Sequence, residues 1–364
     1  MLLNTELTLR YNFHKHYISG SHASDIKQVS DTLIGLHSAR LISPYAALIS
    51  RLEDFRPEHL YHEVVSKGTL IKLRCMRKTL HTLSMELASI AHNATLSYRI
   101  AGFHSCYKKL PCKEKQIIGL KEKILHLLQE DSLPASTIVN TLNSHYDPVL
   151  INLTLRELWE RGTVCYINES NDWQREKRKY GLTKRCYPLL DLHDLPEQVA
   201  QQLLIIRYIE SYGPVTLSDI SWWSALPGGK IIKIIKENAG SILPVRMTGF
   251  NQVFYVTDTT IEEIKNSDLP ETTWIRLLAH EDPTLKGYFE TRSRYVDDKF
   301  YQFLFNPIGE ARASIVKNGK VIGIWAWNKK ESGIDHKLFK KLNKGEMKLL
   351  MSEKEKVSRS LKNE

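Results

Sequence analysis

Three times along this chain a set of amphipathic helices is followed by a hairpin pattern, and that recurrence restricts the fold more than any other feature of the sequence. In the first pass Ile26, Val29, Leu33 and Leu36 fall at spacings of three and four; a Ser43-Pro44 break interrupts the stripe, and Tyr45, Leu48, Ile49 and Leu52 resume it. A third short helix is expected over 58–65, stopping at Lys67-Gly68, and the run Thr69-Leu70-Ile71-Lys72-Leu73-Arg74-Cys75-Met76 then reads as a strand. In the second pass, helices over 113–129, 135–142 and 148–160 lead through Gly162 into a long hairpin. In the third, helices over 196–211, 217–223 and 230–237 lead into a hairpin over 241–256, bent at Gly249. Helices followed by paired strands give the order of a winged helix, so the pattern predicts an α+β chain built on three tandem winged-helix domains.

After about residue 268 the period shortens. Strands are expected over 301–304, 311–317 and 321–327, the last two joined by Asn318-Gly319, a strong two-residue hairpin signal. A charged helix over 344–360, with Leu349, Leu350 and Met351 on one side, is expected to be otherwise solvated. The expected segments are therefore 1–112, 113–190 and 191–267 for the winged helices and 268–364 for a small β-rich domain.

Composition narrows the function class. With 42% hydrophobic and 25% charged residues among 364, the chain is an ordinary globular one, which excludes disordered, collagen-like and coiled-coil classes. A formal charge of +10 suits a protein that meets a polyanion. Five scattered cysteines argue against a disulfide framework and for a reducing, cytoplasmic setting. His104, Cys106 and Cys112 show no C-x-x-C pair, so no metal is expected. No continuous apolar stretch has signal-peptide or membrane-spanning length, so neither secretion nor a membrane partner is expected.

The hairpin after Gly162 concentrates Arg175, Lys177, Arg178 and Lys179 beside Trp173 and Tyr180. Such an element can set cations on successive phosphates while an aromatic ring stacks on an exposed base, although a solvated basic loop would show the same residues. On the first hairpin, strand alternation would put Arg74, Met76 and Lys78 on one face and Arg77, Thr79 and His81 on the other. Trp222 and Trp223 read as core between domains, and His37 as a residue near the carboxyl end of the first helix, where a cation suits the helix dipole.

The runs G-L-H-S-A at 35–39, P-Y-A-A-L-I-S-R-L at 44–52, G-T-L-I-K-L-R-C-M-R-K-T-L-H at 68–81, W-W-S at 222–224, D-P-T-L-K-G-Y at 282–288 and N-G-K-V-I-G-I-W at 318–325 resemble the winged-helix DNA glycosylases of the AlkZ/YcaQ-like family. The resemblance implies a curved array of three winged helices followed by a carboxyl-terminal β-barrel, double-stranded DNA as partner, and a cytoplasmic, nucleoid-associated bacterial monomer that needs no cofactor. The implied activity is excision of bulky alkylated bases, or unhooking of interstrand crosslinks, by a monofunctional hydrolase. The family motif after Gly-Leu is Gln-x-Gln or Gln-x-Asp, whose side chains position the attacking water; here its two places fall on His37 and Ala39. His37 is thus the expected water-positioning residue, with Arg40, Arg51, Arg74, Arg77, Lys78, His81, Arg175, Lys177, Arg178 and Lys179 the expected DNA contacts. Because Ala39 supplies no polar group, the alternative is a DNA-binding protein, a damage sensor or regulator, that kept the fold without catalysis.

Overall fold

A computed structural model describes residues 1–267, 269 and 272–362. The chain divides into two compact units, one made of Met1–Leu60 with Ile205–Glu364 and the other of Tyr61–Leu204. Residue 268, where the last expected segment begins, lies outside the described residues.

The unit Tyr61–Leu204 contains the second of the expected passes in full. Helices Glu114–Leu127, Ala135–Leu142 and Pro148–Glu160 pack Leu120, Ile124, Leu128, Ile138, Leu150, Ile151 and Leu155 into one apolar core, closed by the antiparallel strands Val164–Asn168 and Arg178–Leu182. Asp147 starts the third helix by accepting from the Val149 N–H at 2.7 Å, with Pro148 in the first turn, where its missing N–H costs nothing. The first hairpin, Leu70–Arg74 with Leu80–Ser84, belongs to the same unit, as does the helix Met85–Ile100. That helix gave no periodic signal because Leu87, Ala88, Ile90, Ala91 and Ala94 bury it around most of its circumference.

In the other unit, the strand Leu2–Leu3 runs parallel to Ile242–Met247, which pairs in turn with Phe254–Thr257. The helix Ile42–Ile49 is buried at every position from Ser43 to Ile49, which accounts for its apolar composition. Beyond residue 272 the strands Ile275–Leu278, Ser314–Lys317, Lys320–Asn328 and Gly333–Leu338 form one open antiparallel sheet. Among the described residues it does not close, so the implied barrel is replaced by a four-stranded sheet. Asn318 and Gly319 turn the middle hairpin with φ of 46° and 83°, as the dipeptide predicts.

Two further expectations change. Residues Tyr301–Leu304 are a helical turn, not a strand, since four residues of strand-like composition do not decide between the two. The terminal helix Lys344–Lys362 is no solvated appendage: Leu350, Val357 and Leu361 are buried, while Leu349 and Met351 face out. Its Glu353 is buried beside Arg276, 3.7 Å away, on the strand Ile275–Leu278. Trp223 is buried against Tyr208, and Trp222 stacks on Phe289 with centroids 5.4 Å apart. No described helix is long and apolar enough to cross a membrane.

Candidate active site

His37 sits beyond its helix, not at its end. The helix Ile26–Thr32, capped by Asp25 through the Gln28 N–H at 2.7 Å, gives way to Ile34 at φ 52° and Gly35 at φ 95°, and the chain then extends through Leu36–His37. Two successive left-handed residues reverse the chain, and a side chain at the second would be strained. The imidazole is therefore not a helix-capping cation, and it turns inward with 4% of its surface exposed, while Ala39 and Arg40 lie at the surface.

A second segment comes to meet it. Asp282 caps the short turn Pro283–Lys286 by accepting from the Thr284 N–H at 3.0 Å, and this turn delivers Lys286 to His37, Nζ to Nε2 at 3.4 Å. Lys286 is also paired with Glu281, which accepts the Ala311 N–H at 2.6 Å through its other carboxylate oxygen. Both members of this pair are buried. An ammonium can only donate, so in this contact Nε2 supplies its lone pair and the imidazole proton resides on Nδ1. The site thus holds a neutral histidine, an ammonium and a compensating carboxylate. At the rim, the Glu310 carboxylate lies 3.7 Å from Arg40 and 3.9 Å from His280, whose pKa is lowered by burial and then by the nearby Arg40 charge.

The turn is anchored from beneath by Arg51. Its guanidinium meets Asp282 through two bonds of 2.7 and 3.0 Å and also donates to the Ala47 carbonyl at 2.8 Å, the His16 carbonyl at 3.1 Å and the Thr284 hydroxyl at 2.8 Å. Arg51 and Asp282 are completely buried. This corrects the expectation that Arg51 contacts DNA: it is an interior strut that joins the P-Y-A-A-L-I-S-R-L and D-P-T-L-K-G-Y segments. Both segments stand out in the sequence, but Lys286 and Glu281 do not, because spacing gives no sign that residues so far apart along the chain converge. The available signal was Asp282-Pro283, a helix-start pair that fixes which way Lys286 points.

The first hairpin also departs from simple alternation. Met76–Lys78 form a tight turn with Arg77 and Lys78 at φ 53° and 58°, so Arg74, Met76 and Lys78 do not share a strand face. Met76 is buried; Lys78 is exposed and Arg77 half-buried. Arg74 is drawn to the buried Glu160 at 3.1 Å and to the Lys78 carbonyl at 2.8 Å, while Arg99 holds the other Glu160 oxygen at 2.7 Å. His81 is buried, 3.4 Å from the Cys75 sulfur, which takes it away from a phosphate.

On the second hairpin Trp173 and Tyr180 are both buried, so neither offers a face to an extruded base. Lys179 is paired with Glu169 at 2.7 Å and Arg178 with Glu176 at 2.9 Å. Arg175, 80% exposed and 3.7 Å from Asp172, and Lys177 project into solvent. Among the described residues no group of three or more His, Cys, Asp or Glu is placed to hold a metal ion; Cys106 is exposed and Cys112 half-buried.

The family model "DNA glycosylase AlkZ-like" matches residues 31–358, a span that includes His37, Arg51 and Lys286. The chain belongs to the AlkZ-like DNA glycosylase family. Membership makes it a DNA-repair protein of the glycosylase class with DNA as its partner. Its fold is similar to that of the Streptomyces sahachiroi DNA glycosylase AlkZ, with a TM-score of 0.79 and 19% identity over 100% of this chain and 98% of that one. No curated protein matches the sequence.

Proposed function

We propose that the protein hydrolyses the N-glycosidic bond of bulky alkylated bases in double-stranded DNA, or unhooks interstrand crosslinks, as a monofunctional, monomeric glycosylase. The observation that carries the reading is His37 held 3.4 Å from Lys286 at the place where the family motif begins. With Nε2 accepting from the ammonium, His37 does not remove the water's proton, and its part in this reading is to position the water. Such help suffices for a cationic alkylpurine, which leaves readily once the C–N bond stretches. Glu281 cancels the Lys286 charge, so no bare cation opposes the oxocarbenium-like sugar that forms. Within this reading the segments 1–112, 113–190 and 191–267 act as tandem winged helices, the remainder follows as an open-sheet segment, and Arg40, Lys78, Arg175 and Lys177 are the outward cations available to phosphates.

The test is incubation of the protein with oligonucleotides carrying 7-methylguanine or a nitrogen-mustard crosslink. Abasic product from wild type and its loss in His37→Ala support the reading, and equal product from both removes His37 from the reaction. A second reading, binding without excision, is favoured by Ala39 and by the near-complete burial of His37. Loss of a second polar group costs on the order of 2 to 4 kcal/mol of transition-state stabilisation by analogy with an oxyanion donor. Tight binding to damaged duplex with no abasic product in a single turnover favours this second reading.

A further inference from the structure

We propose that Cys165 and Cys186 form an oxidation site in which a hydroperoxide converts two neighbouring thiols into a reversible disulfide at the root of the basic hairpin. Cys165 lies on the strand Val164–Asn168 directly opposite Gly181, and its buried sulfur lies 3.5 Å from the Gly181 carbonyl. Cys186 ends the short helix Thr183–Cys186 that follows the partner strand. Its sulfur returns over Gly181, where a Cβ would stand 2.7 Å from it and closer still to the Ser132 hydroxyl. Side chains directly opposite on paired strands lie on one face, so a glycine at 181 leaves the space beside Cys165 that the Cys186 sulfur enters.

The pair is asymmetric in the way that a two-step oxidation needs. Cys165 is fully buried, while Cys186 is half-buried, 3.8 Å from the Ser132 hydroxyl, beside Arg185, whose guanidinium donates to that hydroxyl at 2.8 Å. The neighbouring Cys165 thiol, with Ser132 and the Arg185 charge behind it, lowers the Cys186 pKa, and the Cys186 thiol together with burial raises that of Cys165. Cys186, the more exposed sulfur and the one beside a guanidinium, is thus the attacking thiolate, and the buried Cys165 is the resolving thiol. The thiolate sulfur attacks one peroxide oxygen and breaks the O–O bond, giving a sulfenic acid and hydroxide. The Cys165 sulfur then attacks the sulfenic sulfur, its proton leaves with the departing oxygen as water, and each sulfur ends one electron more oxidised. A thiol reductant returns both.

The experiment treats the full-length protein with a small excess of hydrogen peroxide and maps cysteine products by peptide mass spectrometry. The exposed Cys106 is the internal control. A Cys165–Cys186 linkage that forms at least about tenfold faster than Cys106 oxidation, and that dithiothreitol reverses, is the expected result. Cys165→Ser should let a sulfenic acid accumulate at Cys186 for capture by dimedone, and Cys186→Ser should abolish the linkage. No linkage in wild type, or Cys106 oxidised first, overturns the proposal without recourse to either variant.

Discussion

Around His37 the charged side chains turn inward and satisfy one another, whereas on the hairpin Val164–Leu182 the cations of the other unit divide between local carboxylates and solvent. Arg51, completely buried on Asp282, and Arg175, 80% exposed, carry the same group and were equally credible phosphate contacts on sequence grounds. A basic residue beside an apolar run, such as Arg51 after Ala46-Ala47-Leu48-Ile49, is placed by its helix, while one in a polar loop is placed by solvent. A buried guanidinium then fixes geometry, and an exposed one supplies field.

Cutting the interior pair should destabilise the fold. Arg51→Met leaves the Asp282 carboxylate buried without its charge partner, and it should cost about 3–5 kcal/mol, read as a lowered midpoint in urea denaturation. An unchanged midpoint would mean that Arg51 anchors nothing.

Acid acts on both units, through one buried histidine in each. His16, buried between the Thr284 hydroxyl at 3.0 Å and the Ser211 carbonyl at 2.9 Å, has its pKa lowered by burial to about 3. His92, buried beside Arg99, has its pKa lowered by burial and then by that charge to about 2. Both imidazoles stay neutral when folded but take up a proton near pH ~6.5 once unfolded, so the unfolded chain binds more protons and stability falls as the pH drops below that value. The expected slope is about 1.4 kcal/mol per pH unit for each histidine between pH ~6.5 and roughly 3. Chemical denaturation across that range measures it, and His16→Gln should remove one histidine's share of the slope.

The smallest effect isolates the outward cations. Replacing Arg175 and Lys177 by alanine should leave the denaturation midpoint within about 0.5 kcal/mol of wild type. It should reduce the salt dependence of duplex binding by about 0.9 per lost phosphate contact. Fluorescence anisotropy titrations at several salt concentrations read the slope, and an unchanged slope removes the hairpin from the DNA interface.

Much of the fold was legible because its helices alternate apolar and polar faces: 113–129, 135–142 and 148–160 correspond to Glu114–Leu127, Ala135–Leu142 and Pro148–Glu160. Met85–Ile100 escaped because burial on most sides erases the period, and Tyr301–Leu304 because four residues carry too little of it. Within the site, His37 was found through the motif, but its setting was not, since Ile34 at φ 52° gives no warning in the sequence. Lys286 and Glu281 reach it through a fold in which Asp282 is held by Arg51, a long-range pairing that periodicity does not encode.

Whether His37 takes part in excision is decided by single-turnover formation of abasic sites on alkylated duplex at saturating protein, comparing wild type, His37→Ala and the Arg175/Lys177 double alanine variant. A maximal rate about 10²–10³-fold lower is expected for His37→Ala, by analogy with loss of a preorganised polar group, and one near wild type for the hairpin variant, whose defect lies in affinity. A maximal rate for His37→Ala equal to that of wild type would contradict a role for His37.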